Sequence, residues 1–316
     1  MSDPSEELSL DEIRRISGSF GSLLWLAFSG GEIFLRNDIV EISQTFYRNN
    51  KPAIMLFPTN GMLPDLIKER TERILKDCPK SVITVKLSLD GLHSGHDAIR
   101  NTPDSFERTM RTYDLLGGLL EKYPHFELGI NTVFCSENEG KMDILIDFVR
   151  RLKNVKTHTI SLVRGNLLDE EFKRVDFAKY LEAIGRLEEN LKNKSSGVYR
   201  FRGAKIKAAQ DILQRRLIHQ TTVGQKRLLP CYAGKLNVVL TEDGEVYPCE
   251  ILSQSFGNIR NHDFDIKKIL RTDRAKNIIR SIKDEKCFCT HECYLMTNIL
   301  FTPALYPKLL KEYLQV

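Results

Sequence analysis

The chain has 316 residues, 41% of them hydrophobic and 28% charged, with a net charge of +5. That length admits one large α/β core, or such a core with a smaller appended module. The composition is that of an ordinary soluble globular protein, and no stretch is apolar for long enough to span a bilayer, so membrane insertion is not expected. Residues 1–7 are polar and acidic without the apolar run of a signal peptide, which predicts a cytoplasmic protein with reduced thiols.

In chain order, Ser9 and Glu12 form a capping box with Leu8 and Ile13 placed as its staple, predicting a helix to about Ser17. Residues 23–28 are a short apolar run ending in Ser29-Gly30-Gly31, the pattern of a buried parallel strand running into a tight turn, with the next helix starting near Asn37. Strands are then predicted at 53–57, 82–89, 126–134 and 157–163, with helices at 64–78, 103–122 and 139–152 between them. Such alternation implies parallel βαβ units with right-handed crossovers. The predicted fold class is therefore α/β, an incomplete (β/α) partial TIM-like barrel. Its first element is a helix, so the strand expected to open the sheet is missing.

Residues 170–194 and 204–219 read as helices bridging two units. Between Lys192 and Arg227 there are ten Lys or Arg and one acid, Asp211, so that segment alone carries +9. It is either a solvated helix face or a patch for an acidic peptide, a lipid phosphate or a nucleotide. It is not read as a nucleic-acid surface. Beyond residue 229 the texture changes: apolar runs at 236–240 and 246–249 flank Glu242-Asp243-Gly244, a strong hairpin signal. Three units follow: a partial barrel over 1–165, a basic helical bridge over 166–228, and a small α+β unit over 229–316.

Five of the seven cysteines lie in that last unit. Cys231 and Cys249 flank the hairpin, and Cys287, Cys289 and Cys293 follow as C-x-C-x3-C. In a reducing compartment such clustering points to metal ligation rather than disulfides, and metal would tie a marginal hairpin to a distant segment. Four thiolates suit tetrahedral zinc or a 4Fe-4S cluster equally, although zinc ribbons usually show paired C-x2-C knuckles. Cys78 and Cys135 stand alone and read as small buried hydrophobes. His291 reads as a capping or supporting group more readily than as a ligand.

The spacing of Cys231, Gly244 and Cys249 resembles the opening of the SPASM or twitch extension of the radical SAM family, and Tyr247-Pro248-Cys249 with Gly257-Asn258-Ile259 is similar to family members. The first part resembles the barrel of that family from its second strand onward. Ser29-Gly30-Gly31-Glu32 looks like the GGE motif, which implies that backbone and glutamate hold the amino group of S-adenosylmethionine (SAM); glycine permits the sharp turn and close approach. The resemblance further implies SAM contacts from Thr59 and Asn60, from Ser88 and Arg100 to the methionine carboxylate or ribose, from Asn131 to the ribose, and from Arg164 on the adenine side. It implies that four of Cys231, Cys249, Cys287, Cys289 and Cys293 hold an auxiliary 4Fe-4S cluster. The family's catalytic C-x3-C-x2-C is absent, Cys78 being the earliest cysteine, and Ile33 stands where proline usually follows GGE. The simplest account is a truncated chain, with the second, catalytic cluster expected only in a full-length form.

The resemblance implies an oxidoreductase or maturase that modifies a peptide or protein, an acidic one where the basic segment receives it, through a 5′-deoxyadenosyl radical, supplied with electrons by a reducing donor protein. SAM cleavage is not expected of the chain as written. Two alternatives remain: a non-catalytic iron-sulfur or zinc scaffold protein derived from that family, and a structural zinc module on a TIM-like hydrolase.

Overall fold

Five parallel strands in sequential order form the main sheet of the computed structural model, which describes residues 6–316 except 166, 168, 285 and 286. They are β1 (Trp25–Ala27), β2 (Ile54–Thr59), β3 (Val82–Ser88), β4 (Phe126–Phe134) and β5 (Thr157–Leu162). The sheet curls into a half-barrel. Helices α2 (Ile39–Asn50), α3 (Pro64–Asp77), α4 (Ser94–Arg100), α5 (Ser105–Gly117) and α6 (Met142–Arg151) connect the strands. Met55, Phe57, Ile83, Val85, Leu128, Ile130 and Phe134 pack with the apolar sides of these helices into the main core. Alternate strand residues, among them Leu56, Lys86, Ser88, Asn131 and Thr159, turn to the inner face and stay partly exposed.

Before the sheet comes α1 (Leu10–Ser19), whose capping box is formed by Ser9 and Glu12. After it, α7 (Phe177–Lys192) and α8 (Ala204–Gly224) lead to a small antiparallel sheet of β6 (Val239–Leu240), β7 (Glu245–Tyr247) and β8 (Gly257–Asn258). Four more helices complete the chain: α9 (Ile266–Leu270), α10 (Asp273–Asp284), α11 (Glu292–Leu300) and α12 (Tyr306–Gln315).

The predicted hairpin is present, with Gly244 at φ +90° in its turn, where a side chain would be strained. The predicted helix 103–122 is shorter, α5 ending at Gly117, and α4 before it has no counterpart in the sequence reading. The predicted helix 170–194 begins instead with a 3-10 turn, Glu170–Lys173, and a new start at Phe177 capped by Asp176. Cys78 and Cys135 are buried, 0% and 2% exposed, in keeping with their reading as packing residues. No helix among the described residues is long and apolar enough to cross a membrane.

Much of the basic stretch is engaged within the fold. Lys192 and Arg216 pair with Glu188 and Glu312. Lys207 pairs with Asp211, Arg200 and Arg215 donate to backbone carbonyls of the sheet region, and Arg227 donates to the Ile282 and Lys283 carbonyls. Six of the ten cations are thus used in holding α8 and its flanks among their neighbours, while Lys194, Arg202, Lys205 and Lys226 stay exposed.

Candidate functional site

The carboxyl ends of parallel strands gather ligand groups because loops of several units converge there. At β1, Gly30 and Gly31 are exposed, with nothing within 4 Å of where a Cβ would stand, and Gly30 has φ +132°. Ser29 is exposed beside them. The Glu32 carboxylate is anchored from both oxygens: one accepts from the Phe34 N–H at 3.1 Å, the other from Thr59 Oγ1 at 2.8 Å and the Asn60 N–H at 2.9 Å. The structure thus brings Glu32, Thr59 and Asn60 together at the tips of β1 and β2, beside an open glycine turn.

At the next tips, Ser88 and Asn131 are register partners, and Ser161 Oγ donates to Asn131 Oδ1 at 3.2 Å. Arg100 is differently placed. Its guanidinium pairs at 2.7 Å with Asp90, a carboxylate 2% exposed that also accepts from the Val133 N–H. Arg100 therefore braces the loop after β3, and part of its hydrogen-bonding capacity toward a ligand is already used. Burial pushes the Asp90 carboxyl upward, while Arg100 and the hydrogen bonds act against that rise. Arg164, just beyond β5, pairs at 2.8 Å with Glu292 at the start of α11.

Cys231, Cys249, Cys287 and Cys289 line one cavity of about 50 Å³, together with Ala233, Ile282 and Tyr294. Cys293 follows at the first turn of α11, whose N-cap is His291, the imidazole accepting from the Cys293 N–H at 3.3 Å. His291 also meets Glu250, the residue after Cys249, at 2.5 Å. Sequence reasoning missed this pair and the Arg164–Glu292 tie; the acids adjacent to Cys249 and Cys293 were their only local signal. Burial raises the thiols of Cys249, Cys289 and Cys293, the last two to about 11 and about 12. A bound metal reverses this by stabilising the thiolates.

Four thiols around one cavity are a donor set that would hold either a 4Fe-4S cluster, each thiolate on a different iron, or a single zinc. Among the described residues no three His, Cys, Asp or Glu side chains are already gathered closely enough to hold one ion.

Residues 231–294 match SPASM, an iron-sulfur cluster-binding domain. Over 270 residues the chain is 26% identical to an AdoMet-dependent heme synthase of Methanosarcina barkeri, covering 83% of this chain and 73% of that protein. It is 24% identical over 250 residues to AlbA of Bacillus subtilis, an antilisterial bacteriocin subtilosin biosynthesis protein, covering 77% of this chain and 48% of AlbA. Its fold is that of anSMEcpe solved with bound AdoMet and a Kp18Cys peptide, with a TM-score of 0.60 and 17% identity over 97% of this chain and 90% of that one.

Proposed function

From the premise that this chain is a radical SAM protein carrying a SPASM iron-sulfur domain, we propose that it holds SAM at the strand tips and a 4Fe-4S cluster in the cysteine cavity, and serves the modification of a peptide or protein. When bound beside a reduced catalytic cluster, SAM supplies a 5′-deoxyadenosyl radical that abstracts hydrogen from substrate. Everything else is the work of the chain's own residues.

The observation that carries the reading is the coincidence of two ligand-shaped sites on one frame: four cysteines around a single cavity, and an open glycine turn beside Glu32, Thr59 and Asn60. Ser29, Gly30 and Gly31 leave room for a ligand against backbone, and Glu32 turns a fixed carboxylate toward an amino group. Ser88 and Asn131 present hydroxyl and amide groups to the ribose. Arg100 holds the loop that carries Asp90, and Arg164 ties β5 to the cluster unit. The five candidate ligands are Cys231, Cys249, Cys287, Cys289 and Cys293, of which four are needed. The cysteines of a C-x3-C-x2-C motif are not in this sequence, so the chain as given binds SAM without cleaving it. A reducing donor protein would supply the electrons in this reading.

A peptide substrate is supported by the peptide-bound structure and by AlbA; the heme synthase favours a second reading, in which the substrate is a tetrapyrrole. Anaerobic purification with iron, sulfide and zinc assays tests the cluster. About four irons and four sulfides per chain are expected. Single Cys→Ala variants should lose the brown chromophore at four of the five positions and keep it at one. Colourless protein holding one zinc and no sulfide would overturn the reading.

A further inference from the structure

The inner face of the half-barrel has two halves. Trp25, Ile54, Leu56 and Pro58 make the β1–β2 half apolar, whereas Lys86, Ser88, Asn131, Thr157 and Thr159 make the β3–β5 half polar. Lys86 sits in the middle of β3 and leans across β4 to reach β5, where its ammonium donates to Thr157 Oγ1 at 2.5 Å and Thr159 Oγ1 at 2.9 Å. Gly129 opens that passage. A Cβ there would stand 2.5 Å from Thr157 Oγ1 and 2.9 Å from Lys86 Cδ. By register Thr159 is level with Asn131 and Ser88, so the ammonium is carried up to the tier of the strand tips.

The ammonium has no carboxylate partner of its own among the described residues. Asp211 on α8 accepts from Tyr199 and Lys207, and Glu127 Oε1 accepts the Arg200 N–H at 2.6 Å. Lys207 and Arg215 add positive charge on the same side. An ammonium has three donors, and two hydroxyls occupy two of them. Asp211 is shared with Lys207 and Tyr199, and Glu127 is engaged through Oε1 only, its Oε2 being buried without a hydrogen-bond partner, so an ammonium here is costly unless a ligand brings further negative charge. Lys86 as a whole residue is of intermediate exposure while its ammonium is buried, so a ligand would have to reach it from the inner face. Burial lowers its pKa to about 7, so near neutrality an arriving anion can also draw the proton onto the amine.

We propose that Lys86, steered by Gly129 and fixed by Thr157 and Thr159, is a carboxylate-binding site on the polar half of the inner face. The carboxylate belongs either to the substrate or to the methionyl part of SAM, and the site deepens the preceding reading by requiring a carboxylate of the ligand. The test uses the whole chain with lysine labelled at Nζ by nitrogen-15, titrated with SAM, with decarboxylated SAM, and with succinate in the presence and absence of saturating SAM. Lys86→Met assigns the resonance, and Thr159→Val, which keeps the lysine, covers the case in which that variant fails to fold.

We expect the Lys86 resonance to move with SAM or with succinate, and Lys86→Met to bind the active carboxylate at least tenfold more weakly. Movement with SAM but not its decarboxylated form assigns the carboxylate to the cofactor; movement with succinate on top of SAM assigns it to the substrate. In either case Thr159→Val weakens the same probe. A resonance unmoved by every carboxylate, in protein that binds SAM, overturns the site and leaves the SAM reading intact. Failure of the wild-type chain to bind SAM overturns that reading instead, while the succinate arm still decides the site.

Discussion

At the scale of single residues, Lys86 imposes a pH dependence whose sign follows from its burial. Its pKa falls from 10.5 to about 7 on folding, chiefly through desolvation. Between those values the unfolded chain holds a proton that the folded chain has released, so stability rises with pH across that interval. Each unit is worth about 1.4 kcal/mol, so the whole effect is of the order of a few kcal/mol. Urea unfolding of wild type and Lys86→Met at pH 7 and pH 10 should show the wild type gaining on the variant by roughly 2 kcal/mol or more as pH rises. A constant difference between the two would show that the amine titrates normally. The same reasoning separates Glu32 from Arg100. Both were legible as polar residues at strand ends, but Glu32 faces Thr59 and Asn60 across one turn, whereas Arg100 is bound to the buried Asp90.

Among elements, the junction of α1 and α2 rests on Asn50, which is 0% exposed. Its amide donates to the carbonyls of Ser17, Phe20 and Gly21 at 2.9, 3.2 and 3.0 Å, so one side chain satisfies the frayed end of α1 and fixes the entry to β1. Replacing it by leucine leaves those carbonyls without their donor and should cost about 2–3 kcal/mol. A shift in the urea midpoint equivalent to less than about 0.5 kcal/mol would show that water substitutes for the amide. What could be read of the elements beforehand follows the same division between local and distant partners. The capping box of Ser9 and Glu12, the Asp243-Gly244 turn and the apolar runs of β3 and β4 are set within a few residues, and all three are present. Helix α4 escaped because it is only seven residues long and is held by Asp97, which accepts from Ser105 and Phe106 on the following helix. The basic stretch misled because its partners, Glu188, Glu312 and the carbonyls of β4 and β5, are supplied by tertiary structure.

Across the whole molecule, the cysteine-bearing unit grips both edges of the open sheet. On the β1 side, Val246, Phe256, Ile259 and Ile269 share a core with Leu8, Ile13 and Ile16 of the α1 region and with Ile42 and Phe46 of α2. Arg260 adds a pair with Glu12 at 2.7 Å, a contact that holds the Glu12 carboxyl down at about 2. On the β5 side, α11 packs against α8, and Arg164 meets Glu292 with side-chain exposures of 29% and 15%. The two grips differ in kind. The first is mainly apolar and should survive the loss of one charge, while the second places an ion pair next to Cys293. Arg164→Ala would strand a largely buried carboxylate beside Cys293, a cost of about 1–2 kcal/mol once solvent screening is allowed for. Because that cost falls on α11 and not on the main core, local opening of residues 292–300 should become easier while β2 to β4 stay protected. Native-state hydrogen exchange reads this directly: amides of α11 should exchange roughly tenfold faster in Arg164→Ala, with those of β3 unchanged. Equal acceleration in both regions would mean that the cluster unit and the half-barrel open together, and that the ion pair is one contact among many rather than the latch between β5 and the cysteines.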